Sequence, residues 1–186
     1  MRTISGADPE EPAGWETRIA TITADAVASA DAGLIERAIG SLLRVVREQL
    51  RLEVLFVGEF VNGNRVFRHI ASKPGQDIIQ AGQFHPLDET ICQRIIDGRM
   101  ACLVPDVTRV RIANSLPGYY DGMGAHIGVP VRFTDGSLYG MLCGFSFEPG
   151  AHLEERDVKR LEMAADAIAH LLAQAEGREV RLPHTR

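Results

Sequence analysis

Side chains that could bind a small molecule lie close together within residues 124–146. Two runs of strand-forming residues flank the dipeptide Asp135-Gly136, which readily adopts the positive backbone dihedrals of a two-residue hairpin turn. Alternation along the two strands then predicts which side chains share a face. One face carries His126, Gly128, Arg132, Tyr139, Met141, Cys143 and Phe145.

That face mixes polar, aromatic and sulfur-bearing groups, which is typical of a half-enclosed pocket, although an ordinary half-exposed sheet face would carry them too. The register sets His126 opposite Phe145. It also sets Gly128 opposite Cys143, and the missing side chain at Gly128 leaves room for a ligand near the backbone. His126, with an ordinary pKa of about 6.5, could donate or accept a hydrogen bond, so we expect ligand binding to depend on pH.

The opposite face of the same strands is predicted to be core, because it holds only apolar residues and glycines that let a helix lie close. These are Ile127, Val129, Val131, Phe133, Leu138, Gly140, Leu142 and Gly144. A second hairpin is predicted upstream, with Asn62-Gly63 as its loop. Its predicted pairs are Phe56 with His69 and Phe60 with Arg65.

The segments between the hairpins are predicted to cover the pocket. Residues 76–85 form a loop over one end of the sheet. A helix is then predicted from Asp88, its N-cap, to a stop at Gly98, and it carries Cys92. Residues 107–124 read as a long connection, whose two aromatic side chains are expected to close over the pocket. These are Tyr119 and Tyr120.

Composition excludes several classes of function. A chain of 186 residues with 45% hydrophobic residues predicts one globular domain with a sizeable core. The net charge of -5 and the lack of a basic stripe argue against nucleic-acid binding. No apolar run reaches the roughly 18 residues of a membrane span, and a signal-peptide pattern is missing, so we expect a cytoplasmic protein. Three cysteines without metal-ligand spacing are expected to be reduced thiols, and no metal site is predicted.

The domain is predicted over residues 17–175, between a mobile leader at 1–16 and a C-terminal tail at 176–186. Two long helices are predicted near its ends, over 31–50 and 153–175. The first has two apolar stripes, and the second has a regular seam that would suit packing on another helix or on its own sheet. We expect both helices to cover the sheet and to offer a remaining stripe to a second copy, giving a homodimer. The seam consists of Val158, Leu161, Ala165, Ile168, Leu172 and Ala175.

Two stretches resemble a known family. The run IGVPVRFTDGSLYGMLCGFS is similar to the closing hairpin of GAF domains, and DETICQRIIDGRMACLVPDV upstream extends the resemblance to roughly residues 34–173. The resemblance implies an α+β fold, in which an antiparallel sheet has a ligand pocket on one face and the N- and C-terminal helices on the other. It also implies a role as a small-molecule or redox sensor.

The chain also resembles the GAF-type free methionine sulfoxide reductases, in which a thiolate attacks the sulfoxide and a disulfide follows. Cys92 and Cys102 share the ten-residue spacing of two of their cysteines. The third, in the loop, falls at Tyr119, so the resemblance predicts no sulfoxide reduction, although Cys92 and Cys102 could cross-link if they are close. The positions of three substrate-binding carboxylates fall at His126, Cys143 and Phe145.

A third resemblance is to haem-binding GAF domains of sensor kinases, whose proximal histidine falls here at Tyr119 or Tyr120, with His126 as an alternative ligand. Bilin attachment through Cys92 or Cys143 has no supporting motif around either cysteine. The cofactor, if any, therefore stays unknown. The predicted function is a non-catalytic sensor that binds a small molecule and signals through a homodimer, with a separate effector protein as a further candidate partner. Its predicted ligand-binding residues are Tyr119, Tyr120, His126, Gly128, Cys143, Phe145 and Cys92.

Overall fold

The computed structural model describes residues 14–29, 31–150 and 152–178. The strands are β1 (Val54–Val61), β2 (Asn64–Ser72), β3 (Phe84–Pro86), β4 (Leu103–Val104), β5 (Ala125–Arg132) and β6 (Leu138–Ser146). They form one antiparallel sheet in the order β3-β2-β1-β6-β5-β4. The helices are α1 (Trp15–Ser29), α2 (Ala32–Gln49), α3 (Ile91–Ile96), α4 (Val107–Arg111) and α5 (Glu155–Ala175). The predicted α+β class is confirmed.

No helix of the described ranges is long and apolar enough to cross a membrane.

Helices α2 and α5 cover one face of the sheet, and α1 packs on both of these helices. Both apolar stripes of α2 are buried, because α1 packs on one side while α5 and the sheet pack on the other. In the seam of α5, Leu161 and Ile168 are buried against the sheet and α2, and only Ala175 is exposed. The seam therefore packs within its own chain. The apolar stripes from which a dimer was predicted are buried in this core and are not exposed to a second copy.

The β5–β6 hairpin differs from the predicted turn but keeps the predicted pairing at its centre. Its loop has three residues, Thr134 to Gly136, and Gly136 has a φ of +85°. Tyr139 is an extra residue in β6, and this bulge restores the pairing of His126 with Phe145 and of Gly128 with Cys143. Arg132 therefore faces Leu138, and Tyr139 turns towards the helix side against Phe133.

The β1–β2 hairpin has the predicted two-residue loop, since Asn62 and Gly63 have φ of 50° and 76°. Phe60 faces Arg65 as predicted. Beyond that pair, Arg68 is an extra residue, so Phe56 faces Ile70 rather than His69. The bulge turns His69 to the helix side, where its Nδ1 lies 3.3 Å from a carboxylate oxygen of Glu36.

The connecting segments contain more regular structure than the sequence predicts. Residues 76–86 cover one end of the sheet and add β3 to its edge. Helix α3 begins after Thr90, whose hydroxyl accepts from the Gln93 amide, and not after Asp88. The long connection contains α4 and a single 3-10 turn at Gly118–Tyr120. Trp15 begins α1 and is buried, although it was placed in the leader, and residues 1–13 and 179–186 lie outside the described ranges.

Candidate functional site

A cavity of about 930 Å³ opens on the sheet face opposite α1, α2 and α5. Helices α3 and α4 cover one half of that face, and residues 78–85 and 119–123 enclose the other half. The volume lies within the range of small-molecule binding sites. The lining consists of Phe56, Arg65, Phe67, Ile78, Ile79, Ala81, Gly82, Gln83, Phe84, His85, Tyr119, Tyr120, Asp121, Met123, His126, Phe145 and Phe147.

The cavity has an apolar mouth and a polar base. Ile78, Phe84, Tyr119 and Phe147 are 40–62% exposed around the opening. At the base, Arg65 and His126 are almost completely buried. A small molecule in the cavity would therefore meet apolar surface first and hydrogen-bonding groups last.

Arg65 reaches the base because Gly58, a diagonal neighbour on the adjacent strand β1, has no side chain. A Cβ at Gly58 would lie 2.9 Å from both Cγ and Cδ of Arg65, so only glycine leaves space for this stem. The guanidinium carbon lies 4.3 Å from the ring centre of Phe67 and 5.2 Å from that of Phe56. The two rings place Arg65 by cation–π contact and remove it from water.

Two hydrogen bonds hold the guanidinium. One terminal nitrogen donates to Cys92 Sγ at 3.6 Å, and the other donates to His85 Nδ1 at 2.6 Å. Since a guanidinium only donates, His85 is neutral with its proton on Nε2. Arg65 Nε has no partner, and within the described part of the chain no carboxylate forms an ion pair with Arg65.

These contacts shift the pKa values around the base. Burial alone would lower the pKa of Arg65, but Cys92, Tyr120 and Cys143 outweigh burial and raise it. Burial, helped by the Arg65 charge, lowers the pKa of His85. The base of the cavity therefore holds one permanent positive charge beside a neutral imidazole.

Two thiols lie in contact beneath the cavity. The Sγ atoms of Cys92 and Cys143 are 3.5 Å apart, and both side chains are fully buried. A hydrogen bond from Cys143, together with Arg65, lowers the pKa of Cys92 to about 6 against the opposing effect of burial. Burial and the hydrogen bond with Cys92 raise the pKa of Cys143. Cys92 therefore contacts Cys143, whereas Cys102 was its expected cross-linking partner.

His126 lies on the predicted face but in a drier environment than expected. It is 2% exposed, and its Nδ1 has no partner. Burial, with a smaller effect of Arg65, lowers the pKa of His126 to about 3. His126 is thus neutral near pH 6.5, and the expectation that its titration there governs ligand binding is wrong.

Tyr119 and Tyr120, both expected to close over the pocket, have different positions and roles. Tyr119 stacks on His85 with ring centres 3.9 Å apart and stands at the mouth. Tyr120 is buried, and its hydroxyl accepts from the Ile91 amide at 2.9 Å, so this oxygen anchors the start of α3. Burial raises the pKa of both phenols, that of Tyr119 to about 12.

The space expected over Gly128 is filled. A Cβ at this position would lie 2.8 Å from Cys143 Sγ, 3.1 Å from His126 and 3.4 Å from Ile95 of α3. Gly128 therefore allows β5 and α3 to pack closely, and it does not leave space for a ligand. Of the predicted site residues, four therefore line the cavity and three lie beneath or beside it. The four are Tyr119, Tyr120, His126 and Phe145, and the three are Gly128, Cys143 and Cys92.

Neither tyrosine ligation of haem nor cysteine attachment of a bilin suits these residues. Ligation of haem iron by a phenolate is disfavoured, because the pKa of each phenol is raised. A bilin in the cavity would not reach Cys92 or Cys143, which are covered by other side chains. No group of three metal-ligating side chains occurs in the described ranges.

Sequence reasoning missed Arg65 and His85 as site residues. Alternation does place Arg65 and Phe67 on one face of β2, and Arg65 was paired with Phe60. The signal that could have identified it is Gly58, a glycine inside an otherwise bulky strand, which marks close approach of a neighbouring side chain.

The burial of His126 predicts how the free energy of unfolding depends on pH. Between pH 6.5 and about 3, the unfolded chain binds a proton at His126 and the folded chain does not, so the free energy of unfolding falls as the pH is lowered. This contribution approaches about 1.4 kcal/mol per pH unit. His126→Gln should flatten the decline in the free energy of unfolding that urea titrations give between pH 7 and 4.5. Equal slopes for the parent and His126→Gln would contradict this assignment.

Comparison with known proteins agrees with this architecture. The model of the GAF domain family matches residues 34–173. Among solved structures, the chain is similar to a phycoerythrobilin-bound GAF domain from a cyanobacterial phytochrome, with 18% identity, a TM-score of 0.67, and 88% of this chain and 96% of that one covered. It is also similar to a free methionine-R-sulfoxide reductase from Neisseria meningitidis in complex with its substrate, with 15% identity, a TM-score of 0.68, and coverage of 95% and 99%.

A further similar structure is a putative GAF sensor protein from Burkholderia vietnamiensis, with 20% identity, a TM-score of 0.61, and coverage of 88% and 99%. At these identities the likeness concerns the fold alone. Among curated protein sequences, none matches the chain. The family match covers most of the chain, so this chain belongs to the GAF domain family.

Proposed function

We propose that the chain is a non-catalytic sensor domain that binds a small molecule in the cavity over β1, β2 and β6. The cavity itself carries this proposal. It joins a mouth of exposed apolar side chains to a base with two buried polar atoms that have no partner, Arg65 Nε and His126 Nδ1. Buried polar groups normally have hydrogen-bond partners, so two unpartnered polar atoms at the base of one cavity favour a ligand as their partner.

The distribution of exposed apolar residues supports the same function. The described ranges contain seven exposed large apolar side chains, and four of them line this mouth. Apolar surface gathered in one place marks a binding site more often than surface scattered singly. The phytochrome and reductase relatives also hold small molecules, a bilin and a substrate, according to their descriptions.

Catalysis of the reductase kind has little support in this site. It needs a thiol that a sulfoxide in the cavity can reach. Cys92 has a low pKa but is covered, and exposed Tyr119 stands where the reductase family has its loop cysteine.

The three free thiols, two of them in contact, suit the reducing conditions of the cytoplasm, where we place this protein.

We further propose that the ligand state is passed on through a second copy of the chain that docks on α1 and α5. A shallow apolar groove between these helices supports this partner, and it is distinct from the buried seam of α5. Its lining includes Trp15, Ile19, Val27, Met163 and Ala167. Met163 is 51% exposed there, which suits burial against an identical groove.

Ligand binding predicts a specific role for Phe84, which is 62% exposed at the mouth. Phe84→Ser should leave folding intact and weaken binding of a compound found by thermal-shift screening by about tenfold, because apolar contact area is lost. Ile112→Ser is the matched control, since Ile112 is an exposed apolar residue outside the cavity. Calorimetric titration that gives equal affinity for both variants would count against the cavity as the binding site.

Dimerisation through the groove predicts an effect of Met163→Glu. Light scattering at micromolar concentration should show a dimeric parent, a monomeric Met163→Glu variant and a dimeric Ile112→Glu control, all with similar melting temperatures. A carboxylate in an apolar interface is costly, whereas at an exposed position it costs little. A monomeric parent, or a Met163→Glu variant that remains dimeric, would refute this interface.

A further inference from the structure

The chemical class of the ligand can be argued from the charge at the base of the cavity. Arg65 is 3% exposed and has no carboxylate partner among the described residues. A buried charge without an opposite charge is costly, so proteins rarely keep one without a counter-ion. Arg65 also belongs to the cavity lining, so a ligand in the cavity can supply that counter-ion.

Arg65 has donors left for such a ligand. Of its five N–H groups, the bonds to Cys92 and His85 use two. Nε and the second hydrogens of the terminal nitrogens have no partner in the described part of the chain. His126 Nδ1 is likewise unpartnered and can donate when it carries the imidazole proton.

The charges of the lining favour an anion with a single charge. Arg65 is the one cationic side chain among the lining residues, and both histidines have lowered pKa values. Asp121 is the one carboxylate, and it pairs at 2.7 Å with Arg111 near the opening. A doubly charged phosphate would leave one negative charge unbalanced in this surrounding, whereas a carboxylate would not. The planar guanidinium also matches a carboxylate in geometry.

The remaining walls favour an aromatic body attached to that carboxylate. Seven aromatic side chains besides the histidines line the cavity: Phe56, Phe67, Phe84, Tyr119, Tyr120, Phe145 and Phe147. Aromatic rings pack on one another at their edges and offset faces, and each contact adds to the stability of a complex.

Cys92 acts as the competing anion when the cavity is empty. Its Sγ accepts from Arg65, and the low pKa of this thiol allows it to carry part of the balancing charge. A thiol is a weak acceptor, and Cys92 is fully buried and is not among the residues that line the cavity. A carboxylate in the cavity would make better hydrogen bonds and would favour the protonated form of Cys92.

We propose that the ligand class is the small aromatic carboxylates, with the carboxylate on Arg65 and His126 and the ring among the phenylalanines at the mouth. This assignment rests on the proposed function, namely that the cavity binds a small molecule.

Two matched series of probes test the assignment by calorimetric titration. One comprises benzoate, phenylacetate, 3-phenylpropanoate and 4-phenylbutanoate, and the other comprises the four primary amides of the same skeletons. At least one carboxylate should bind the parent about tenfold or more tightly than its amide, because hydrogen bonds between charged groups are the stronger ones. Arg65→Met should remove that preference. Arg68→Met is the control, because Arg68 lies on the same strand, is exposed and pairs with Glu59 outside the cavity.

The outcomes separate this inference from the proposed function. A preference for carboxylates that persists in Arg65→Met, or amides that bind the parent as well as the acids do, would overturn the carboxylate assignment and leave ligand binding in the cavity standing. Absence of binding by all eight probes would also overturn the assignment, while a hit from a wider screen that responds to Phe84→Ser would preserve the proposed function. The comparison of acids with amides uses the parent protein alone, so it decides the question even if Arg65→Met does not fold.

Discussion

A guanidinium held under the cavity, away from water and without a carboxylate partner in the described part of the chain, is the constraint on which the rest of the site depends. Two phenylalanine rings, a thiol and an imidazole take the place of the missing counter-ion. Their own properties change in response. A hydrogen bond from Cys143, with a further contribution from Arg65, lowers the pKa of Cys92, and the two histidines that line the cavity stay neutral because they are buried beside a positive charge.

The sheet makes room for this arrangement through departures from regular strand geometry. Gly58 leaves space for the stem of Arg65, and the bulge at Arg68 allows Arg65 and Phe67 to face the cavity while His69 faces the helices. On the opposite half of the same face, Gly128 lets α3 approach the strands and closes off the thiols. The result is one open half that can bind a ligand and one filled half that holds α3 in place.

The sequence predicts the faces of β5 and β6 well, because alternation and a turn dipeptide are local signals. His126 and Phe145 thus reach the cavity as expected, in spite of compensating irregularities at Gly136 and Tyr139. It does not predict Arg65 as a site residue, because the pairing of β1 with β6 joins segments that are distant in the chain. The sequence also does not show how deeply these residues are buried. Whether Gly128 borders a cavity or a helix depends on where α3 packs. The low pKa of His126 follows from that same depth.

Whether Arg65 is kept for a ligand and not for the fold is decided by the stability of ligand-free Arg65→Met. Urea unfolding at pH 7 should give a free energy of unfolding within about 1 kcal/mol of the parent, or higher, because methionine fills the space of the arginine stem and removes a buried charge. A loss of about 3 kcal/mol or more, as expected when one partner of an internal charge pair is deleted, would show instead that Arg65 is a structural cation that the fold itself needs.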